Sequence, residues 1–169
     1  MRFTFCPDCG KKLIDKLIGD EGYIPYCEGC KRPLFDMFSS CVIVLVTDGK
    51  GQVVLLNQNY ISTQYCNLVS GYIKPGENAE GTAYREVEEE IGLKLSSLEF
   101  VGTYWFDKKE QLMIGFIGKT EDRELKLSGE VDRAQWVDAK QALSMVHPKG
   151  SVSYALIERY LNKRSTSSI

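Results

Sequence analysis

Four glutamates fall within five residues, Glu86 and Glu88 to Glu90, in the stretch YREVEEEIG. On an α-helix, positions i, i+3 and i+4 share a face, so the carboxylates of Glu86, Glu89 and Glu90 converge while Glu88 points into solvent. Like charges set this way repel. A glutamate-rich helix is most often a wet face with cations at i+4. Here the i+4 positions hold Glu90, Leu93 and Lys94, and Gly92 is expected to end the helix before Lys94 can pair. Ala83, Val87 and Ile91 form an apolar stripe beside the carboxylates, which sets them at the edge of a buried surface. A hard divalent cation relieves the crowding, because Mg²⁺ takes oxygen ligands, keeps waters and favours sites shared with substrate phosphates. The cluster reads as half of a metal site whose other half is a polyphosphate.

A second constellation is softer. Cys6 and Cys9, then Cys27 and Cys30, form two C-x-x-C pairs seventeen residues apart. That spacing fits a four-thiolate zinc site, and Gly10 suits the tight turn of a knuckle. The alternative is two reduced thiol pairs or a redox motif. A closed four-cysteine site makes the zinc structural. Cys41 and Cys66 sit in apolar, strand-like contexts and read as small core residues. His147, the only histidine, precedes Pro148 and receives no role.

These residues need elements to position them. Residues 1–36 carry the two knuckles around a short hairpin and too little apolar content to fold without metal. From Cys41, CVIVLVTDGKGQVVLLNQ reads as two strands around a DGKG turn. YCNLVSGYI reads as a strand ending at Gly71, and GYIKPGEN as a loop. Asn78 is the expected N-cap of a helix running to Ile91, with Gly92 at C′. Strands are expected at LEFVGTYWF, QLMIGFIGK, RELKLS and AQWVD, and helices at AKQALSMV and SYALIERYLNK. The tail RSTSSI is expected to fray.

The bulk numbers bound the partners. The chain has 169 residues, 43% of them hydrophobic, and a formal net charge of −2. That suffices for one ordinary domain and a small module, and a near-neutral charge argues against a general nucleic-acid binder. No apolar run reaches membrane length and no signal peptide is evident, so a soluble cytoplasmic protein is expected.

Gly71, Glu77 and the run REVEEEIGL from Arg85 to Leu93 agree at every specified position with the pattern G-x5-E-x7-R-E-U-x-E-E-x-G-U, U being aliphatic. On these residues the chain resembles the Nudix hydrolases. The resemblance implies an α+β fold, a Nudix-type mixed β-sheet sandwiched between α-helices over residues 37–165, after a zinc ribbon at 1–36 and before a polar tail at 166–169. It implies a pyrophosphohydrolase using Mg²⁺ or Mn²⁺, with Glu86 and Glu90 as metal ligands and Glu89 as a further ligand or the base. A carbonyl near Ser70–Gly71 completes that shell, and Arg85 and Glu77 orient loop and helix. Glu130, in SGEVDRAQWVD, is the candidate outer carboxylate, against a surface-loop reading. A zinc ribbon before such a domain resembles the NADH pyrophosphatase group. Those enzymes carry a proline-rich SQPWPFP stretch after the box where this chain has GTYWFDKKEQ, which leaves the substrate open. Tyr104, Trp105 and Phe106 are candidates to stack a base, Tyr104 and Phe106 foremost, against a plain core reading. The substrate expected is a small nucleotide, a dinucleotide such as NADH included, and related enzymes imply a homodimer. An RNA end is a further substrate the same chemistry admits. The competing reading is a non-catalytic nucleotide sensor whose ribbon binds nucleic acid or protein; no box glutamate is missing, which favours the enzyme.

Overall fold

A computed structural model describes residues 2–166, and the chain divides into two compact units, Met1–Ser39 and Ser40–Ile169. In the first, β1 (Ile14–Leu17), β2 (Tyr23–Cys27) and β3 (Arg32–Pro33) form an antiparallel sheet, with Leu17 opposite Tyr23 and Cys27 opposite Arg32. Its core is small: Cys6, Cys27 and Leu34 are buried, with Phe3 and Leu13 against them. So little apolar area stabilises a unit weakly on its own.

The second unit is built on a six-stranded sheet. Its strands are β4 (Ser39–Thr47), β5 (Gln52–Asn57), β6 (Val69–Tyr72), β7 (Leu95–Phe106), β8 (Gln111–Thr120) and β9 (Arg133–Asp138). They run in the order β7-β8-β4-β5-β9, and β6 pairs with the first half of β4. The sheet is mixed. β4 is antiparallel to β5 and β6, whereas β8 runs alongside β4 in the same direction, with Gln111 bonded to Cys41 at one end and Lys119 beside Gly49 at the other. β4 is buried from Cys41 to Thr47 because both faces are covered, which explains its continuous apolar run.

One face of β4, through Val42, Val44 and Val46, packs on Ala83, Val87 and Ile91 of α1 (Ala79–Ile91). The other, through Ile43 and Leu45, packs beneath α2 (Ala139–Met145) and α3 (Val152–Thr166). Cys41 and Cys66 are buried as expected. His147 stacks on Tyr65 with ring centroids 4.5 Å apart. Among the described residues no helix is long and apolar enough to cross a membrane.

Two expectations fail. RELKLS is not a strand: residues 121–128 carry no ladder. Its amides go elsewhere, Lys126 N–H to the carbonyl of Ile91 (2.9 Å) and Ser128 N–H to that of Glu90 (3.0 Å). The segment satisfies orphan carbonyls at the end of α1 instead of joining the sheet. The supposed tail is helical through Thr166, where the Thr166 hydroxyl donates to the Lys163 carbonyl (2.8 Å). Residues 167–169, the rest of the expected tail, lie outside the described residues.

Candidate active site

α1 begins where the sequence places it. Asn78 Oδ1 accepts the Gly81 N–H (2.8 Å), and Gly92 closes the helix in the left-handed region at φ 69°. A capped start and a glycine stop fix the register of the glutamates. Glu86 is largely buried, Glu90 is 4% exposed, and Glu88 and Glu89 face solvent.

The missing counter-charge is Arg85. Its Nε and Nη2 grip both oxygens of Glu77 (2.7 and 2.9 Å), and Nη1 reaches Glu86 Oε1 (2.6 Å) and Glu89 Oε2 (2.8 Å). Nη2 also reaches the Tyr72 carbonyl (3.2 Å). The counter-charge comes not from a cation at i+4 but from an arginine four residues before Glu89. Glu77 further accepts the Lys74 N–H and the Thr82 hydroxyl. These bonds, the Arg85 guanidinium first, hold its carboxyl down at about 2. A guanidinium with all its directions used is a rigid bracket between loop and helix. Glu88 instead lies 4.0 Å from Lys94, beyond the helix stop.

Glu86 lies directly against the backbone of Gly71. A Cβ at position 71 would stand 2.0 Å from the Glu86 carboxyl carbon, so only glycine admits this approach. Burial raises Glu86 above the usual carboxylate range, opposed by Arg85. Glu90 is more extreme: burial first, then the charges of Glu86, Glu130 and Glu89, push it up to about 8, although the Ser70 backbone N–H offsets part of this. Its Oε2 is buried without a partner among the described residues. Glu130 is exposed on the loop before β9, near enough for its charge to act on Glu90.

The sequence candidates separate here. Glu77, Arg85, Glu86, Glu89, Glu90, Ser70 and Gly71 share the end of the sheet where β6 meets α1. Tyr104 packs in the core beneath α2 and α3, on the other face, and burial raises its phenol. Phe106, two residues along the same strand, is half-buried on that face.

Three features fit a hard divalent cation beside α1: an unpartnered buried carboxylate oxygen, an approach kept open by a glycine, and an all-oxygen donor set. The four cysteines fit a softer one. Their sulfurs lie within 4.8 Å of one another, Cys9 to Cys27 at 3.5 Å and Cys6 to Cys30 at 3.9 Å. Tetrahedral thiolates around zinc stand about 3.8 Å apart. The Cys30 N–H donates to Cys27 Sγ (3.3 Å) and, as the largest of several causes, helps lower that thiol to about 7.

Residues 37–160 match the NUDIX domain. The chain belongs to this family. It is 29% identical over 162 residues to the NAD-capped RNA hydrolase NudC of Pseudomonas aeruginosa strain LESB58, covering 95% of this chain and 56% of that protein. A Photobacterium profundum protein of the same name is 26% identical over 159 residues, covering 94% of this chain and 58% of its own. The chain thus spans little more than half the length of these relatives. Among solved structures, a NUDIX hydrolase from Nitrosomonas europaea has a TM-score of 0.73 at 19% identity, covering 97% of this chain and 93% of its own. An Ap4A hydrolase from C. elegans has a TM-score of 0.61 at 17% identity, over 76% and 98%. At such identities these two speak for the fold.

Proposed function

We propose that the chain is a divalent-metal-dependent pyrophosphohydrolase that cleaves the diphosphate linkage of a dinucleotide or related nucleoside diphosphate derivative by water attack at phosphorus. The observation that carries this is Glu90, a buried carboxyl with an unpartnered oxygen among three other acidic groups. In this reading Glu86 and Glu90, with a carbonyl near Ser70–Gly71 and the outer Glu130, hold Mg²⁺ or Mn²⁺. Held there, such an ion would supply charge neutralisation to the leaving group of the diphosphate.

The chain's own groups do the rest. Arg85 holds Glu86 and Glu89 side by side, and Glu77 fixes Arg85 to the loop. Glu89, half exposed and tethered at one oxygen, has the other free to join the shell or take the proton of the attacking water. Zinc on Cys6, Cys9, Cys27 and Cys30 would hold the N-terminal unit together. The relatives named as NAD-capped RNA hydrolases favour a nicotinamide dinucleotide, free or at an RNA end. Tyr104 and Phe106 share the sheet face beneath α2 and α3, so the position of neither supports base stacking beside the carboxylates.

A hydrolysis screen with Mg²⁺ or Mn²⁺ tests this, comparing NADH, NAD⁺, ADP-ribose, diadenosine polyphosphates, nucleoside triphosphates and an NAD-capped RNA. Metal-dependent release of mononucleotides from one of these is expected. Tight binding without turnover of any would overturn catalysis in favour of a sensor.

A further inference from the structure

Beyond the glutamates, a tyrosine stands on the same rim. The turn that follows β5 starts at Gln58, whose carbonyl accepts the N–H of Ile61 (2.8 Å) and of Ser62 (3.0 Å). Asn59 N–H donates to Asp132 Oδ2 (2.7 Å), and Asp132 N–H donates to the Asn57 carbonyl (3.0 Å). The loop carrying Asp132 is tied in turn to α1 through Ser128 N–H and the Glu90 carbonyl, and the Glu130 N–H donates to Ser128 Oγ (3.3 Å). The turn, the Glu130 loop and the end of α1 are thus one bonded assembly.

Tyr60 projects from this turn with 70% of its surface exposed, so packing does not account for it. Its hydroxyl oxygen accepts the Gln58 Nε2 hydrogen (3.2 Å). Gln58 is 1% exposed, and its Oε1 has no partner among the described residues. A buried amide is expensive to leave half satisfied, so its use in holding an exposed phenol marks that phenol as placed. With the oxygen accepting from Gln58, the hydroxyl proton is left to donate. Partial desolvation of the hydroxyl, then the charges of Glu90, Glu130, Asp132 and Glu86, raise this phenol.

We propose that Tyr60 donates a hydrogen bond to a phosphate oxygen of the substrate diphosphate at the carboxylate site, with Gln58 as the positioning residue that aims it. The assignment rests on the pyrophosphohydrolase reading. A neutral donor suits this place: it meets the developing charge on the diphosphate without adding a cation that would compete with metal for the glutamates.

Tyr60→Phe removes only the hydroxyl, and its exposed position leaves the fold intact. It should lower kcat/KM on the best dinucleotide substrate by about 10-fold or more, with kcat falling and KM rising several-fold. Gln58→Met should lower kcat in the wild-type background and have no further effect on top of Tyr60→Phe, a coupling that general destabilisation would not produce. Wild-type kcat in Tyr60→Phe would overturn the assignment, as would loss in Tyr60→Ala alone, which would make the ring a stacking platform. A binding measurement separates this from failure of the hydrolase reading. Metal-dependent affinity for α,β-methylene-ADP should fall several-fold in Tyr60→Phe even if the wild type turns over no dinucleotide, and unchanged affinity would count against the donor.

Discussion

The two candidate metal sites are assembled in opposite ways. In the N-terminal unit four sulfurs already lie within 4.8 Å of one another, among the described residues the one group of three or more metal-binding side chains so close. In the larger unit Glu86 and Glu89 are drawn onto the two sides of one guanidinium nitrogen, and Glu90 stays buried and unsatisfied. A closed shell completes itself from protein atoms and supports a fold. An open one is left short of ligands, which is what a site shared with a phosphate requires.

The largest effect expected from this contrast is on the thiolate side. Stripping metal with a strong chelator, or Cys27→Ser, should unfold the N-terminal unit, since zinc on the four thiolates would contribute on the order of 10 kcal/mol to so small a core. Hydrogen exchange at Tyr23–Cys27 should rise to unprotected rates while β4 stays protected. Protection retained at both, in protein shown to be free of zinc, would mean that Cys6, Cys27 and Leu34 suffice as a core.

Next comes catalysis. Glu90→Gln should lower kcat by at least about a hundredfold, because the oxygen best placed for a cation is lost, yet it should not lower Tm. Gly71→Ala probes the same shell from the backbone. The added methyl must displace the Glu86 carboxylate, the end of a flexible chain, so metal affinity should fall severalfold while Tm drops by only a few degrees. A variant that binds Mn²⁺ as the wild type does would show that Glu86 tolerates displacement.

Much of this arrangement is legible in the sequence because it is local. The caps Asn78 and Gly92, the stripe Ala83–Val87–Ile91 and the spacing of the glutamates sit within one helix, where a 3.6-residue period decides position. What escaped is set by distant partners. RELKLS has strand-like composition, but its amides are claimed by carbonyls of α1 more than thirty residues earlier in the chain. The Arg85 bracket is partly local, yet its grip on Glu77 depends on how the loop folds back. Tyr60 and Gln58 carry no motif at all; only the bond between them singles them out. Tyr104 and Phe106 have strand alternation that shows two faces without saying which faces the glutamates.

The open site also predicts a pH signature that the closed one lacks. Glu90 titrates at about 8 in the folded state against an ordinary 4.5, so the fold holds this proton more tightly than the unfolded chain does. Stability from this group is complete below pH 4.5 and is lost as pH rises towards 8. Metal-free protein should therefore lose Tm across that window. Glu90→Gln should flatten the slope and melt about 3 °C or more above wild type at pH 8, and added Mg²⁺ should narrow the difference. A thermal series from pH 5 to 9 with and without EDTA reads all three.

The smallest effect sharpens the comparison most, because it separates charge from placement. Glu88 belongs to the same acidic run as Glu86, Glu89 and Glu90, and it carries the same charge one residue from Glu89 and two from the others. It is exposed, lies outside the Arg85 bracket, and pairs with Lys94 only at 4.0 Å. An exposed pair at that distance is worth roughly 0.5 kcal/mol or less. If general negative potential around α1 attracted the cation, Glu88→Gln would weaken Mn²⁺ binding in proportion to the charge removed, and salt would abolish the difference. If the site is built by Gly71, Ser70 and Arg85 around particular oxygens, Glu88→Gln should leave metal affinity, kcat and Tm within error of the wild type. The repulsion in YREVEEEIG then serves the three glutamates that share one face of α1, and the fourth is only a solvated neighbour.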